Sequence, residues 1–190
     1  MKKTFNIVIA GVGGQGLVTL NQILAEAAKA EGFDVKTSEL HGLSQRGGSV
    51  ETHIRFGDKI YSPLVALGEA DLILGLEMLE GLRALPYAGK KTVFLINKFS
   101  LPFFGGFSEK EVLKKIGTLI KTRKYLVPAS NICKKEFGSE VVSGIYLLGQ
   151  AVFKKIIPLK PKTVLSAIKK VVPEKHFELN KKAFSSSKNG

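Results

Sequence analysis

Cysteine is nearly absent from this chain: Cys133 is the only one in 190 residues. That excludes an internal disulfide, and it excludes an iron–sulfur cluster held by this chain alone, which would need several thiolates. A reducing cytoplasm is the simplest expected compartment. Long hydrophobic runs are missing too. No apolar stretch approaches the roughly 20 residues that span a bilayer, so no membrane role is expected. Phe5 to Ala10, after Met1-Lys2-Lys3, imitates a signal peptide. It is short, however, and runs into glycines without a small-residue cleavage pattern, which makes it a first strand. Acidic residues are scarce only in the second half. The first 90 residues carry nine basic and ten acidic side chains, the last hundred twenty and six, so the net charge of +13 originates there. Much of the excess is in lysine pairs, among them Lys114-Lys115, Lys134-Lys135 and Lys169-Lys170, flanked by apolar residues at helical spacing. This is the pattern of solvated helix faces. Aromatic-interleaved basic motifs are absent, so nucleic acid is not an expected partner.

What is present is an ordinary globular composition, 44% hydrophobic and 24% charged, in a length suited to one domain over residues 1–190. The expected fold class is α/β: a doubly wound, Rossmann-like sheet, mostly parallel, with a β-hairpin insertion and a helical C-terminal region. Phe5 to Ala10 reads as a buried strand. Leu17, Leu20, Leu24, Ala27 and Ala28 form the apolar stripe of a helix that ends at Gly32, and Asp34 to Glu39 reads as the next strand. Strand, turn, helix and strand within about 35 residues make a βαβ unit. Val50 to Phe56 alternates, with Glu51, His53 and Arg55 on its polar face. The turn Gly57-Asp58 then predicts an antiparallel partner in Lys59-Ile60-Tyr61. Strands follow at Ala70 to Gly75, Lys91 to Asn97 and Tyr125 to Pro128, with a short helix from about Glu77 to Leu85 and another opened by Ser108. The remainder is helical, punctuated by Pro158, Pro161 and Pro173, and residues 185–190 form a frayed tail.

Two segments carry functional interest. Gly11, Gly13 and Gly16 satisfy the G-x-G-x-x-G spacing between a strand and a helix, with Gly14 and Gln15 completing the turn. Glycine permits positive φ and close ligand approach, and the helix N-terminus presents unpaired N–H groups to an anion. Glu39, 23 residues after Gly16, could serve as the ribose-binding acid of an NAD site. The same glycines could instead allow close packing or hold a subunit contact. The second segment is Ser44-Gln45-Arg46-Gly47-Gly48-Ser49, a polar loop after the second strand that can reach the carboxyl edge of the sheet. Arg46 could pair with a carboxylate or phosphate through its planar fork, or with a backbone carbonyl or a subunit interface.

Taken together, Gly11 to Gly16, Glu39-Leu40-His41-Gly42, Ser44 to Val50 and Tyr61-Ser62-Pro63-Leu64 resemble the gamma-type domain of the 2-oxoacid:ferredoxin oxidoreductase family. The form is the stand-alone small subunit of its indolepyruvate branch. Gly68 to Leu72, Glu77 to Arg83, Ile157-Pro158-Leu159 and Leu179 to Phe184 extend the likeness along nearly the whole chain. Pyruvate-type gamma subunits tend to carry R-R-G-A where this chain has Gln45-Arg46-Gly47-Gly48, so the arylpyruvate branch is favoured over pyruvate- or 2-oxoglutarate-type gamma subunits.

The resemblance implies a reaction performed by an assembly. A 2-oxoacid is oxidatively decarboxylated with coenzyme A to acyl-CoA and carbon dioxide, and two electrons pass to ferredoxin. It places thiamine diphosphate, magnesium and 4Fe-4S clusters on a large (alpha) partner subunit, in a heterodimer or heterotetramer, and coenzyme A as co-substrate. Consistent with that division, the chain has no recognisable diphosphate–magnesium motif, and no cofactor, metal or catalytic residue is assigned to it. The competing readings are a stand-alone NAD(P)-binding oxidoreductase, resting on the three glycines and Glu39, and a polyanion-binding protein using the basic second half.

Lone residues carry less. His41, His53 and His176 lack metal-ligand spacing, and His53 on a polar strand face reads as exposed or interfacial. Cys133 reads as a small buried hydrophobe. Glu77 and Glu80 near Arg83 read as a salt-bridged surface. Ser44 and Ser49 lack a neighbouring His–Asp pair and are not nucleophiles.

Overall fold

A computed structural model describes residues 4–41, 48–101 and 106–189. Its centre is strand β1 (Phe5–Val12), whose residues from Asn6 onward are buried. A strand covered on both faces reads as a continuous apolar run, and Ile7-Val8-Ile9-Ala10 is one. Helix α1 (Leu17–Ala30) follows, with Leu17, Leu20, Ile23, Leu24, Ala27 and Ala28 turned inward. It leads to β2 (Asp34–His41). The later strands are β3 (Ser49–Gly57), β4 (Ala70–Gly75), β5 (Ala88–Asn97) and β6 (Lys124–Val127), and the sheet order is β2-β3-β1-β4-β5-β6. β4, β5 and β6 continue parallel from β1, whereas β3 runs antiparallel to both β1 and β2.

The antiparallel insertion therefore differs from the expected hairpin. β3 pairs with β2 on one side and β1 on the other, and Lys59-Ile60-Tyr61 does not form a strand. The alternating pattern located β3 but could not choose its partner. The Ile60 amide is taken by the Asp34 carboxylate at 2.7 Å, a side-chain bond in place of a ladder. β1 and β2 are parallel, as a βαβ unit requires, yet β3 lies between them.

The alternation within β1 divides the core into two. Ile7 and Ile9 join Leu72, Leu74 and Leu95 beneath α1 and the C-terminal helices α4 (Ala129–Phe137), α5 (Ser143–Phe153), α6 (Pro161–Val171) and α7 (Glu174–Ser186). Val8 and Ala10 join Ile73, Phe94 and Ile96 beneath α2 (Met78–Arg83) and α3 (Glu109–Leu119). Each fully buried aliphatic side chain contributes about 1.5–3 kcal/mol. Ser108 opens α3, as the sequence predicts, and caps it in a reciprocal box with Glu111. On the second face, β3 is covered by the chain from 58 to 69. Arg55 donates to the carbonyls of Ser62 and Leu64, and Val65 packs into the core.

The tail departs from expectation. Residues 185 and 186 complete α7, and Ser187 is buried, its carbonyl accepting the Gln150 amide at 2.6 Å. The run of serines hides this docking, because serine carries no hydrophobic signal. Among the described residues, no helix is long and apolar enough to cross a membrane.

Candidate functional site at the carboxyl edge

Chain direction reverses between β1 and β4: from β1 the chain goes to β2 on one side, and from β4 to β5 on the other. In open α/β sheets ligands bind outside the carboxyl ends of the strands at such a switch point. Here that edge holds the glycine turn, the return of the polar loop into β3, and the start of α2.

The turn is closed on itself. Gln15 folds back so that its Oε1 accepts the Val12 amide at 2.8 Å, and Gly13 donates its amide to the Gly48 carbonyl at 2.9 Å. A Cβ on Gly11 would lie 2.7 Å from Gln15 Oε1, so this position must be glycine for Gln15 to fold inward. Gly16, at φ 77°, turns the chain into α1, which starts with no side-chain cap and no acidic residue in its first turn. A cleft of about 480 Å³ beside the turn is lined by Gly13, Gly14, Gly16, Leu17, Val18, Glu39 and Val50.

Two features separate this arrangement from a dinucleotide seat. The Val12 and Gly13 donors already serve protein acceptors. Glu39 stands on a strand that β3 separates from β1. With strands about 4.8 Å apart, that places its backbone roughly 10 Å from β1 instead of next to it, although it still borders the cleft beside the turn.

Opposite the turn, α2 is buried along nearly its whole length and carries two carboxylates inside. Glu77 is 3% exposed and Glu80 5% exposed. Glu77 caps the helix by accepting the Glu80 amide at 2.9 Å, and it reaches the Leu101 amide at 3.4 Å. Glu80 accepts the Ser49 hydroxyl at 2.5 Å and pairs with Arg83 at 2.7 Å. Burial pushes the Glu77 carboxyl above its usual range despite the N–H groups it accepts, and the neighbouring Glu80 charge adds to the rise. These glutamates are not the surface pair that their spacing suggests. Apolar Leu76, Met78, Leu79 and Leu82 surround them in the sequence, but the stripe Glu77, Glu80 and Arg83 at three-residue spacing reads equally well as an outer face, so local pattern did not reveal the burial.

His53 is likewise buried. Its Nδ1 accepts the Val65 amide at 2.9 Å and its Nε2 lies 2.8 Å from the Glu51 carboxylate. Its ring meets Tyr87 edge-on, centroids 5.0 Å apart. Burial alone would raise Glu51, but hydrogen bonds from His53 and Tyr87 outweigh it and hold that carboxyl below its ordinary range. Burial, with the bond to Glu51, pushes the Tyr87 phenol up to about 12. Cys133, on the inner face of α4, is fully buried, as expected, and burial pushes its thiol up to about 12.

Of the residues singled out in the sequence, the structure thus joins Gly11, Gly13, Gly14, Gln15 and Gly16 to Gly48 and Ser49 at one edge. Ser44, Gln45, Arg46 and Gly47 lie outside the described residues. Sequence reasoning missed Glu80, which holds Ser49.

Similarity to known proteins converges on one group. The family model described as pyruvate ferredoxin/flavodoxin oxidoreductase matches residues 6–189. An indolepyruvate oxidoreductase subunit IorB of Archaeoglobus fulgidus is 37% identical over 190 residues, covering 97% of this chain and 94% of that protein. A protein of the same name from Pyrococcus horikoshii is 35% identical over 188 residues, covering 96% and 93%. The crystal structure of a keto/oxoacid ferredoxin oxidoreductase gamma subunit from Geobacter sulfurreducens superposes with a TM-score of 0.74 at 24% identity, covering 97% of this chain and 96% of that one.

Proposed function

We propose that this chain, which belongs to the pyruvate ferredoxin/flavodoxin oxidoreductase family, is the small subunit of a heteromeric arylpyruvate:ferredoxin oxidoreductase. The observation that carries the proposal is similarity along essentially the full length to subunits named for indolepyruvate. The assembly converts an arylpyruvate such as indolepyruvate and coenzyme A into acyl-CoA and carbon dioxide, and delivers two electrons to ferredoxin. The whole chain acts as one gamma-type domain, cytoplasmic, inactive by itself, and completed by a larger partner in a heterodimer or heterotetramer.

The chain's own donors do not fit the redox groups. Its sole thiol is buried with its pKa pushed to about 12, opposite to the thiolate that an iron–sulfur cluster requires. The clusters are therefore assigned to the partner, and thiamine diphosphate and magnesium are assigned there with them on the family likeness. Its contribution is to cover and shape the site from the carboxyl edge. The segment Ser44 to Ser49 is assigned to the subunit interface or to binding of coenzyme A or the oxoacid, with the Arg46 guanidinium suited to a phosphate or carboxylate.

Co-expression with the large subunit tests the reading. A stable complex whose arylpyruvate-dependent ferredoxin reduction needs this chain is the expected result. Absence of a complex, together with activity independent of this chain, overturns it. Micromolar binding of NAD(H) or NADP(H) by the purified chain, measured by isothermal titration, would instead support the stand-alone oxidoreductase.

A further inference from the structure

We infer that the segment between β3 and β4, residues 58–69, is a docking surface for the larger subunit, with Tyr61, Leu64 and Leu67 as its apolar anchors. The inference rests on the reading of this chain as the small subunit of a heteromer.

The segment exposes apolar side chains while its backbone is tied down. Tyr61 is 81% exposed, Leu64 47% and Leu67 70%, whereas Ile60 and Val65 turn inward and are buried. The Asp34 carboxylate takes the Ile60 amide, and the Arg55 guanidinium donates to the carbonyls of Ser62 at 2.9 Å and Leu64 at 3.2 Å. His53 accepts the Val65 amide, and Gly68 donates its own amide to the Pro86 carbonyl at 3.0 Å. A surface held this way has little conformational freedom left to lose when a partner covers it. Its composition points the same way. From Ile60 to Gly68 there is no charged residue, in a chain that is 24% charged. Charges stand only at the ends, as Asp58, Lys59 and Glu69, and the Lys59 ammonium lies 5.1 Å from the Tyr61 ring centroid. An uncharged centre that holds a tyrosine, inside a charged rim, is the anatomy of a protein–protein interface.

Area and charge select the occupant. A tyrosine offers about 150–250 Å² of surface. With two leucines beside it, the segment presents a patch of a few hundred Å², a size that on soluble proteins is often functional. Two copies meeting through this patch alone would bury far less than the roughly 1,200–2,000 Å² of a stable interface. At +13 each, two copies also repel. The larger subunit meets neither objection, because its contact can continue past the segment along β3, which starts at the carboxyl edge with Ser49. The lysine pairs Lys134-Lys135 and Lys169-Lys170 are exposed on α4 and α6, across the sheet from the segment. Docking by the uncharged side leaves that basic side in water.

The test uses the full chain, alone and with the large subunit. Cys133 is buried, so L67C introduces the thiol that a maleimide can reach. It should react readily in the free chain and about tenfold more slowly, or less, in the complex. Y61S/L67S should weaken binding of the large subunit about thirtyfold or more, the scale of lost interface anchors, while unfolding at the parent's temperature. K134E/K135E, on the opposite side, should leave the affinity within about threefold. A stable complex in which L67C reacts as fast as in the free chain overturns the inference and leaves the small-subunit reading intact. Parent-like binding by Y61S/L67S does the same. A free chain that sediments as a dimer, and that Y61S/L67S returns to monomer, gives the surface to a second copy and overturns it too. If the parent chain forms no complex at all, the small-subunit reading fails and the inference falls with it.

Discussion

His53 accepts the Val65 amide through Nδ1, which leaves Nε2 to donate to Glu51, so one imidazole joins β3 to the segment that covers it. The bond pattern assigns the tautomer: Nδ1 can accept only while it carries no proton. Replacing His53 by Phe keeps a ring edge for Tyr87 but leaves the Val65 amide without an acceptor and deprives Glu51 of a donor. The expected loss is about 2–3 kcal/mol, the scale of buried polar groups left unpaired. Urea unfolding measures it, and limited proteolysis should cut H53F between 58 and 69 before it cuts the parent.

Glu77 should make stability fall with pH. Its folded pKa is raised, so the native state holds the proton more tightly than the unfolded chain. The stabilisation is complete below the ordinary value of 4.5 and disappears as pH rises through the folded pKa. E77Q keeps an acceptor for the Glu80 amide without a charge to bury. The parent should therefore lose stability relative to E77Q between pH 4.5 and neutrality, read from urea midpoints at both ends. E77A lacks the cap as well and should be less stable than E77Q by about 1 kcal/mol.

Cys133 should be silent in the native protein. With the side chain fully buried and its thiol pushed to about 12, thiolate at pH 8 is vanishingly scarce. A chromogenic disulfide reagent should find no reactive thiol in the folded chain and one per chain in guanidinium. Rapid native modification would contradict its buried placement on the inner face of α4.

Gln15 should matter more to stability than an exposed turn residue does. Q15A leaves the Val12 amide without its acceptor, at a cost of about 1–3 kcal/mol if water cannot replace it. Q15E, which keeps an acceptor there, should recover most of that loss in thermal unfolding.

Legibility in the sequence followed the range of the forces involved. β1, α1, β4 and the Ser108 cap were readable because each is dictated by local periodicity or by contacts within a few residues. The pairing of β3 was not, because Val50 to Phe56 presents the same alternation to any partner, and the choice of β1 and β2 depends on residues distant in the chain. The glycine turn was found by spacing, but the destination of its Gly13 amide is set by Gly48, brought in by tertiary pairing. His53 and Glu80 were misread for one reason. Polar residues were assumed to face water, and covering segments at 58–69 and along α2 removed that water.

The insertion of β3 also constrains the order of assembly. β1 precedes the other strands, yet its neighbours are β3 and β4, so it has no strand to pair with until residues 49–57 exist. β2 and β3 adjoin in sequence and can zip into a hairpin early, since closing a short loop loses little entropy. β1 with α1 must then dock against a hairpin already formed, or wait for β4. Until that happens its apolar strand Ile7-Val8-Ile9 stays unpaired, and during synthesis this edge is the segment most in need of protection from self-association.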